Sequence, residues 1–197
     1  MSTDTKDKIL EAALKIFSRD GYAGTNLKDI AEAVGVVKSG VYRHYAGKEE
    51  LWNAVLDEME CYYAERFGSP ENMPAVPQST DELKILTLQM LNFTMHDEKI
   101  IMTRKLLLTE QFRDARARVL ATRHFGTGLE TVFAKIFAGM MENGSLRHGD
   151  AAMLAFVYTA PIMALVHYCD REPEKEPEIM RQIEAFVKHF VSVYGLQ

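Results

Sequence analysis

Residues Thr25 to Leu51, TNLKDIAEAVGVVKSGVYRHYAGKEEL, decide how the rest of the chain is read. Leu27, Ile30, Ala31 and Val34 recur at helical spacing and predict a short amphipathic helix over 27–34. Asn26 stands just before it and Asp29 three residues on, an N-cap and a partial capping box. Gly35 closes the helix, because glycine tolerates the left-handed conformation of a tight stop. A second short helix is expected over 37–45. Two short helices joined by a glycine-containing turn make a helix-turn-helix.

The second helix carries the chemistry. Between Val36 and Lys48 stand the cations Lys38, Arg43 and Lys48, together with His44, and no acid. Lysine and arginine contact phosphates or guanine edges, and a tyrosine hydroxyl bonds a phosphate oxygen. Tyr42 lies beside Arg43 on the polar side and is expected at DNA. Tyr45 shares a face with Val41 and is expected in the core. Ser39 and Gly40 are small, so the helix start can approach a groove floor closely. The second helix of such a motif enters the major groove. The candidate DNA contacts are Thr25, Asn26, Lys28, Lys38, Ser39, Gly40, Tyr42, Arg43, His44 and Lys48. Spacing and charge alone also fit a solvated helix in an ordinary helical protein.

A resemblance narrows this. The segments ILEAALKIFSRDGYAGTNLKDIAEAVGV (9–36) and KSGVYRHYAGKEELWNAVL (38–56) resemble the N-terminal domain of the TetR family of bacterial transcriptional regulators. The shared pattern is an apolar first helix ending in F-x-x-x-G-Y, then T-x-x-x-I-A-x-x-x-G-V, then a Y-x-x-F/Y-x-x-K-x-x-L tail. The chain departs from it at Val37, where the family often has a capping Ser or Thr, and at Gly40, where it more often has Thr or Ala. Glycine there costs about 1 kcal/mol of helix propensity. The resemblance implies a homodimeric repressor of a palindromic operator, with a helical body that binds a small-molecule effector.

Composition permits this reading. Net charge is −5, but residues 1–50 hold eight Lys+Arg and eight Asp+Glu, so the surplus acid lies beyond them. A local basic stripe suffices for a groove-binding module, and an acidic remainder suppresses indiscriminate binding. Cys61 and Cys169 are isolated, as in a reduced cytoplasmic protein. No apolar run of about twenty residues is evident, so no membrane span is expected. The polar start, MSTDTKDK, does not resemble a secretory signal.

The fold class expected is all-α: a three-helix DNA-binding domain over 1–47, a connecting helix over 48–67, a linker over 68–79, and a larger helical effector-binding and dimerisation domain over 80–197. Ile9, Ala13, Ile16 and Phe17 mark the first helix, expected over 5–19 and closed by Asp20-Gly21. Lys48 opens the fourth, where the helix dipole favours a phosphate. Trp52 is expected to pack head against body. Three prolines in GSPENMPAVPQS predict a mobile linker. Beyond it, helices are expected over 80–96, 99–111, 114–143, 150–169 and 174–194. The first is opened by a Ser79/Glu82 capping box, the third carries Gly126 and Gly128, which bend it or allow close packing, and the fourth is kinked at Pro161.

The last two helices have apolar faces wider than one neighbour covers, which points to an interface. A symmetric four-helix bundle satisfies them, with Phe156, Ile183, Phe186 and Phe190 as interface candidates. Candidates for an apolar or aromatic effector are Met90, Phe93, Met102, Leu106, Phe125, Phe133 and Tyr158, with His124 and His167 as polar partners. Such a stripe at helical spacing is more often ordinary core than a ligand site. No metal-ligand spacing, phosphate loop or paired histidines suggest an enzyme, a metal or a cofactor. Two rivals remain: a regulator without a small-molecule effector, acting as an activator or answering a protein, and a helical protein-interaction module.

Overall fold

The computed structural model describes residues 3–68 and 73–196. The described residues form helices and no strand. In chain order these are α1 (Thr3–Gly24), α2 (Leu27–Val34), α3 (Lys38–Tyr42), α4 (Lys48–Phe67), α5 (Thr80–His96), α6 (Glu98–Glu110), α7 (Ala115–Thr122), α8 (Gly128–Glu142), α9 (Ala151–Arg171) and α10 (Glu176–Tyr194). The all-α class is therefore as expected.

The helices gather into two compact units, Met1–Ala64 with Glu98–Ala121, and Glu65–Asp97 with Thr122–Gln197. The first unit thus takes in α6 and most of α7, from beyond the linker. Its core is Ile9, Ala13 and Phe17 of α1, Leu27 and Ile30 of α2, Val41, Tyr45, Leu51, Val55 and Leu56, closed by Leu106 and Leu107 of α6. Tyr45 is buried, as its spacing from Val41 requires.

The second unit packs α5, α8, α9 and α10 around one core. Phe133, Phe137, Tyr158 and Phe190 meet at its centre, with Tyr158 and Phe190 ring centroids 4.6 Å apart. Such pairs add to the burial of their area through edge-to-face geometry.

Local signals set most boundaries. Asn26 Oδ1 accepts the amides of Lys28 and Asp29, and Gly35 takes φ 76°. Ser79 Oγ accepts the Glu82 amide, while Glu82 reaches back to the amide of Gln78. Asp150 caps α9 through the amides of Ala152 and Met153.

Four expectations are corrected. The single helix over 114–143 is three pieces: α7, a π-helical turn Arg123–Thr127, and α8. Gly126 sits at φ −140° and ψ −107°, outside helical space, and so breaks the hydrogen-bond ladder. The second helix of the motif ends at Tyr42 instead of running to 45. Val37 offers no side-chain cap and Gly40 weakens the interior. The linker is tied down over its described part. Val76 lies against Gly139 of α8, and the carbonyls of Pro77 and Gln78 accept hydrogen bonds from Asn143 and Ser145. Residues 69–72 of that linker lie outside the described residues. Finally, α9 is long and apolar enough to cross a membrane by length and composition. Its chain continues through Pro161 without a break in the helix. One face, Ala155, Tyr158, Ile162 and Val166, is buried in the second unit, as in the core helix of a folded domain.

Candidate nucleic-acid interface

The site is built by α2 and α3 on the floor provided by α1 and α4. Ile30 and Ala31 of α2 and Val41 of α3 are buried, which turns the opposite faces outward. Lys38, Ser39, Tyr42 and Arg43 are all exposed, with Tyr42 48% accessible. The Lys38 ammonium lies 5.8 Å from the centre of the Tyr42 ring, one helical turn away, so cation and hydroxyl share a face. His44 and Lys48 are half-buried at its margin. The Lys48 ammonium stands 4.4 Å over the centre of the Tyr22 ring, a cation–π contact that holds the charge near the start of α4. Lys28 is exposed and pairs with Glu32 at 3.4 Å.

Two of the expected contacts have other work. The Thr25 side chain is buried, 3% accessible, and its hydroxyl donates to the Gly21 carbonyl at 2.8 Å. It shapes the α1–α2 turn instead of facing solvent. Asn26 spends its side-chain oxygen on the N-cap of α2 and its amide on Asp29. Gly40 is half-buried, and a Cβ there would touch Val36 at 3.4 Å, so alanine would nearly fit.

Val37, which the spacing of the cations does not single out, belongs to the same exposed surface. It is 73% accessible, directly before Lys38. An apolar residue exposed at the leading end of such a helix matches the 5-methyl group of thymine.

The expected effector residues are not one constellation. Phe133 and Tyr158 are buried in the aromatic centre of the second unit, and Leu106 is buried in the first. These three fill core, which is the ordinary fate of an apolar stripe. Met102 is half-buried on α6, in the first unit, while Met90 and Phe93 are half-buried on α5, with Phe93 edge-on to Phe67 at 5.5 Å. His124, Phe125 and His167 do come together. Phe125 lies 6.3 Å from the His124 ring and 5.5 Å from His167, at the π-helical turn. Burial, then the neighbouring Arg123 charge, pushes the His124 pKa down to about 4, so its ring is neutral near pH 7.

The expected interface residues divide likewise. Phe156 is 52% accessible, and Met153 and Val157 are exposed beside it on α9. Phe186 is half-buried. Ile183 and Phe190 are buried within their own chain and are corrected to core residues. Their side of α10 faces α9 and α8.

Residues 9–55 match the family model of bacterial regulatory proteins, tetR family. The biofilm operon icaADBC HTH-type negative transcriptional regulator IcaR of Staphylococcus epidermidis is 40% identical over 58 residues, 29% of this chain and 31% of that protein. The HTH-type transcriptional regulator AcrR of Shigella flexneri is 30% identical over 103 residues, 49% of this chain and 44% of that one. The chain thus spans less than half the length of these curated relatives. Among solved structures it is similar in fold to SmeT, the repressor of the Stenotrophomonas maltophilia multidrug efflux pump SmeDEF. The SmeT–triclosan complex superposes with a TM-score of 0.77 at 18% identity, over 99% of this chain and 93% of that one.

Proposed function

The stretch 9–55 carries the signature of the TetR family of bacterial regulatory proteins, and from that premise we propose that the chain is a DNA-binding transcriptional regulator. The observation that carries the reading is the outward face of α3. Lys38, Ser39, Tyr42 and Arg43 are exposed together, on a helix whose other side is buried against α1 and α2. In this reading α3 enters the major groove, with Tyr42 and the cations at phosphates and Val37 against a thymine methyl. Lys48 meets a phosphate at the start of α4. The protein works in the cytoplasm, where its DNA is.

The proposal extends to a homodimer that binds a near-palindromic operator and blocks transcription. A dimer presents two reading helices about 34 Å apart, one turn of B-DNA. The exposed stripe Met153, Phe156 and Val157 supports an α9-centred interface. The effector is a small apolar or aromatic molecule, a reading supported by the triclosan complex of the structural relative and by the His124, Phe125 and His167 cluster. Effector binding shifts the protein between states that differ in operator affinity, and a coupling of about 1–3 kcal/mol suffices.

The test is selection of duplexes from a random pool by the purified full chain. The expected result is a two-fold symmetric sequence bound against excess competitor. Retention of the pool without enrichment would contradict the reading.

A further inference from the structure

The carboxyl group of Glu110, at the end of α6, is 2% accessible. Acids are almost never buried this far without a partner that uses them. Its Oε1 accepts the backbone N–H of Tyr22 at 3.0 Å. Tyr22 follows Gly21, which leaves helical space at φ 72° and ψ 172°. A Cβ on Gly21 would lie 2.7 Å from the same Oε1. The kink near the end of α1 therefore has the one residue type that admits both the backbone conformation and the carboxylate.

Tyr22, once held, becomes a platform. Its ring meets the Trp52 ring at 5.2 Å and the Phe17 ring at 6.0 Å, and Lys48 Nζ stands 4.4 Å above it. The Trp52 indole N–H points to Asp114 Oδ2 at 3.4 Å, just beyond α6. The residues Glu110, Tyr22 and Lys48 thus form a contact series from a buried acid to a cation at the candidate DNA surface. Charge neutralisation at a phosphate depends on where that ammonium is kept.

We infer that Glu110 is a positioning residue for DNA reading: by fixing the Tyr22 backbone it sets the aromatic platform that places Lys48 at a phosphate. The inference rests on the DNA-binding reading above. Glu110 itself touches no DNA.

The test uses the full chain and the duplex that the wild type enriches from a random pool. The readout is the slope of log affinity against log salt concentration, which falls by about 0.9 for each lost phosphate contact. Lys48→Ala is expected to lower the slope by about 0.9. Glu110→Ala is expected to lower it equally, and the double variant no further. Glu110→Gln keeps an oxygen that accepts the Tyr22 N–H and is expected to hold the wild-type slope. A merely structural role would reduce the active fraction and leave the slope alone. Tyr22→Leu removes the platform without touching the carboxylate and is expected to reproduce the Lys48→Ala slope, should Glu110→Ala fold poorly.

Trp52 is the single tryptophan of the chain, so its emission reports the platform without DNA. It is expected to move to the red in Glu110→Ala and not in Glu110→Gln. Slopes at the wild-type value in both Glu110→Ala and Tyr22→Leu, with Lys48→Ala lowered, would overturn this inference and leave DNA binding standing. A wild type that enriches no duplex would overturn both.

Discussion

The hydroxyl oxygens of Thr87 and Tyr158 lie 2.6 Å apart in the core of the second unit. Thr87 also donates to the Leu83 carbonyl at 2.8 Å, so its one hydrogen is committed and Tyr158 is the donor of the pair. Burial raises the Tyr158 pKa to about 12, and the phenol stays protonated. Tyr158→Phe keeps the ring and loses one hydrogen bond. It is expected to cost about 1 kcal/mol in denaturant unfolding. Tyr158→Ala opens a cavity among Phe133, Phe137 and Phe190 and is expected to cost about 3–5 kcal/mol.

Asn26→Ala removes the acceptor for two amides at the start of α2. A loss of about 1 kcal/mol is expected, read by thermal melting. Thr25→Val keeps the buried shape and drops only the bond to Gly21, so DNA affinity should be little altered. A large affinity loss in Thr25→Val with an unchanged melt would instead make Thr25 a direct contact.

Stability should fall with acid through His124. Its folded pKa, about 4, lies below the ordinary value of 6.5, because burial and Arg123 disfavour the charged ring. The unfolded chain therefore takes up a proton first as pH falls. This contribution is fully present above about pH 6.5 and is lost progressively down to about pH 4. The shift corresponds to at most about 3 kcal/mol. Unfolding free energies of wild type and His124→Gln across that range check it. The variant's curve should be flatter, and parallel curves would remove His124 from the account.

The exposed and buried members of the expected interface should behave differently. Phe156→Asp places a charge on the accessible stripe of α9 and is expected to shift sedimentation from dimer to monomer at little cost to the monomer fold. Ile183→Ala lies in the core and is expected to cost about 2–5 kcal/mol while the protein that remains folded still associates.

The contrast shows what the sequence makes legible. Asn26 and Gly35 act within a few residues of themselves, so the bounds of α2 follow from local chemistry. The same holds for Ser79 at α5 and Asp150 at α9. The break at Gly126 needs a backbone conformation that glycine permits and sequence does not dictate. Ile183 and Phe156 carry the same apolar signal, and only packing decides which faces inward. Phe133 and Tyr158 could not be assigned to core or pocket for that reason. Glu110 was invisible because its partner is a backbone amide far along the chain, and backbone partners leave no mark on residue types. The outward face of α3 was legible because its cations and Tyr42 alternate with Val41 and Tyr45 at helical spacing.

The central claim is that α3 reads DNA, and its most direct measurement is the affinity of wild type, Tyr42→Ala and Val37→Ser for the enriched duplex. Tyr42 and Val37 are both well exposed, so neither change should disturb the fold, and Ser at 37 adds an N-cap. Tyr42→Ala is expected to bind at least about tenfold more weakly, a loss of about 1.4 kcal/mol, with an unchanged melting temperature. Val37→Ser is expected to lose discrimination between thymine and uracil at one position of each half-site. Wild-type affinity and discrimination in both variants would contradict that claim, because the exposed face of α3 and the residue leading into it would then take no part in binding.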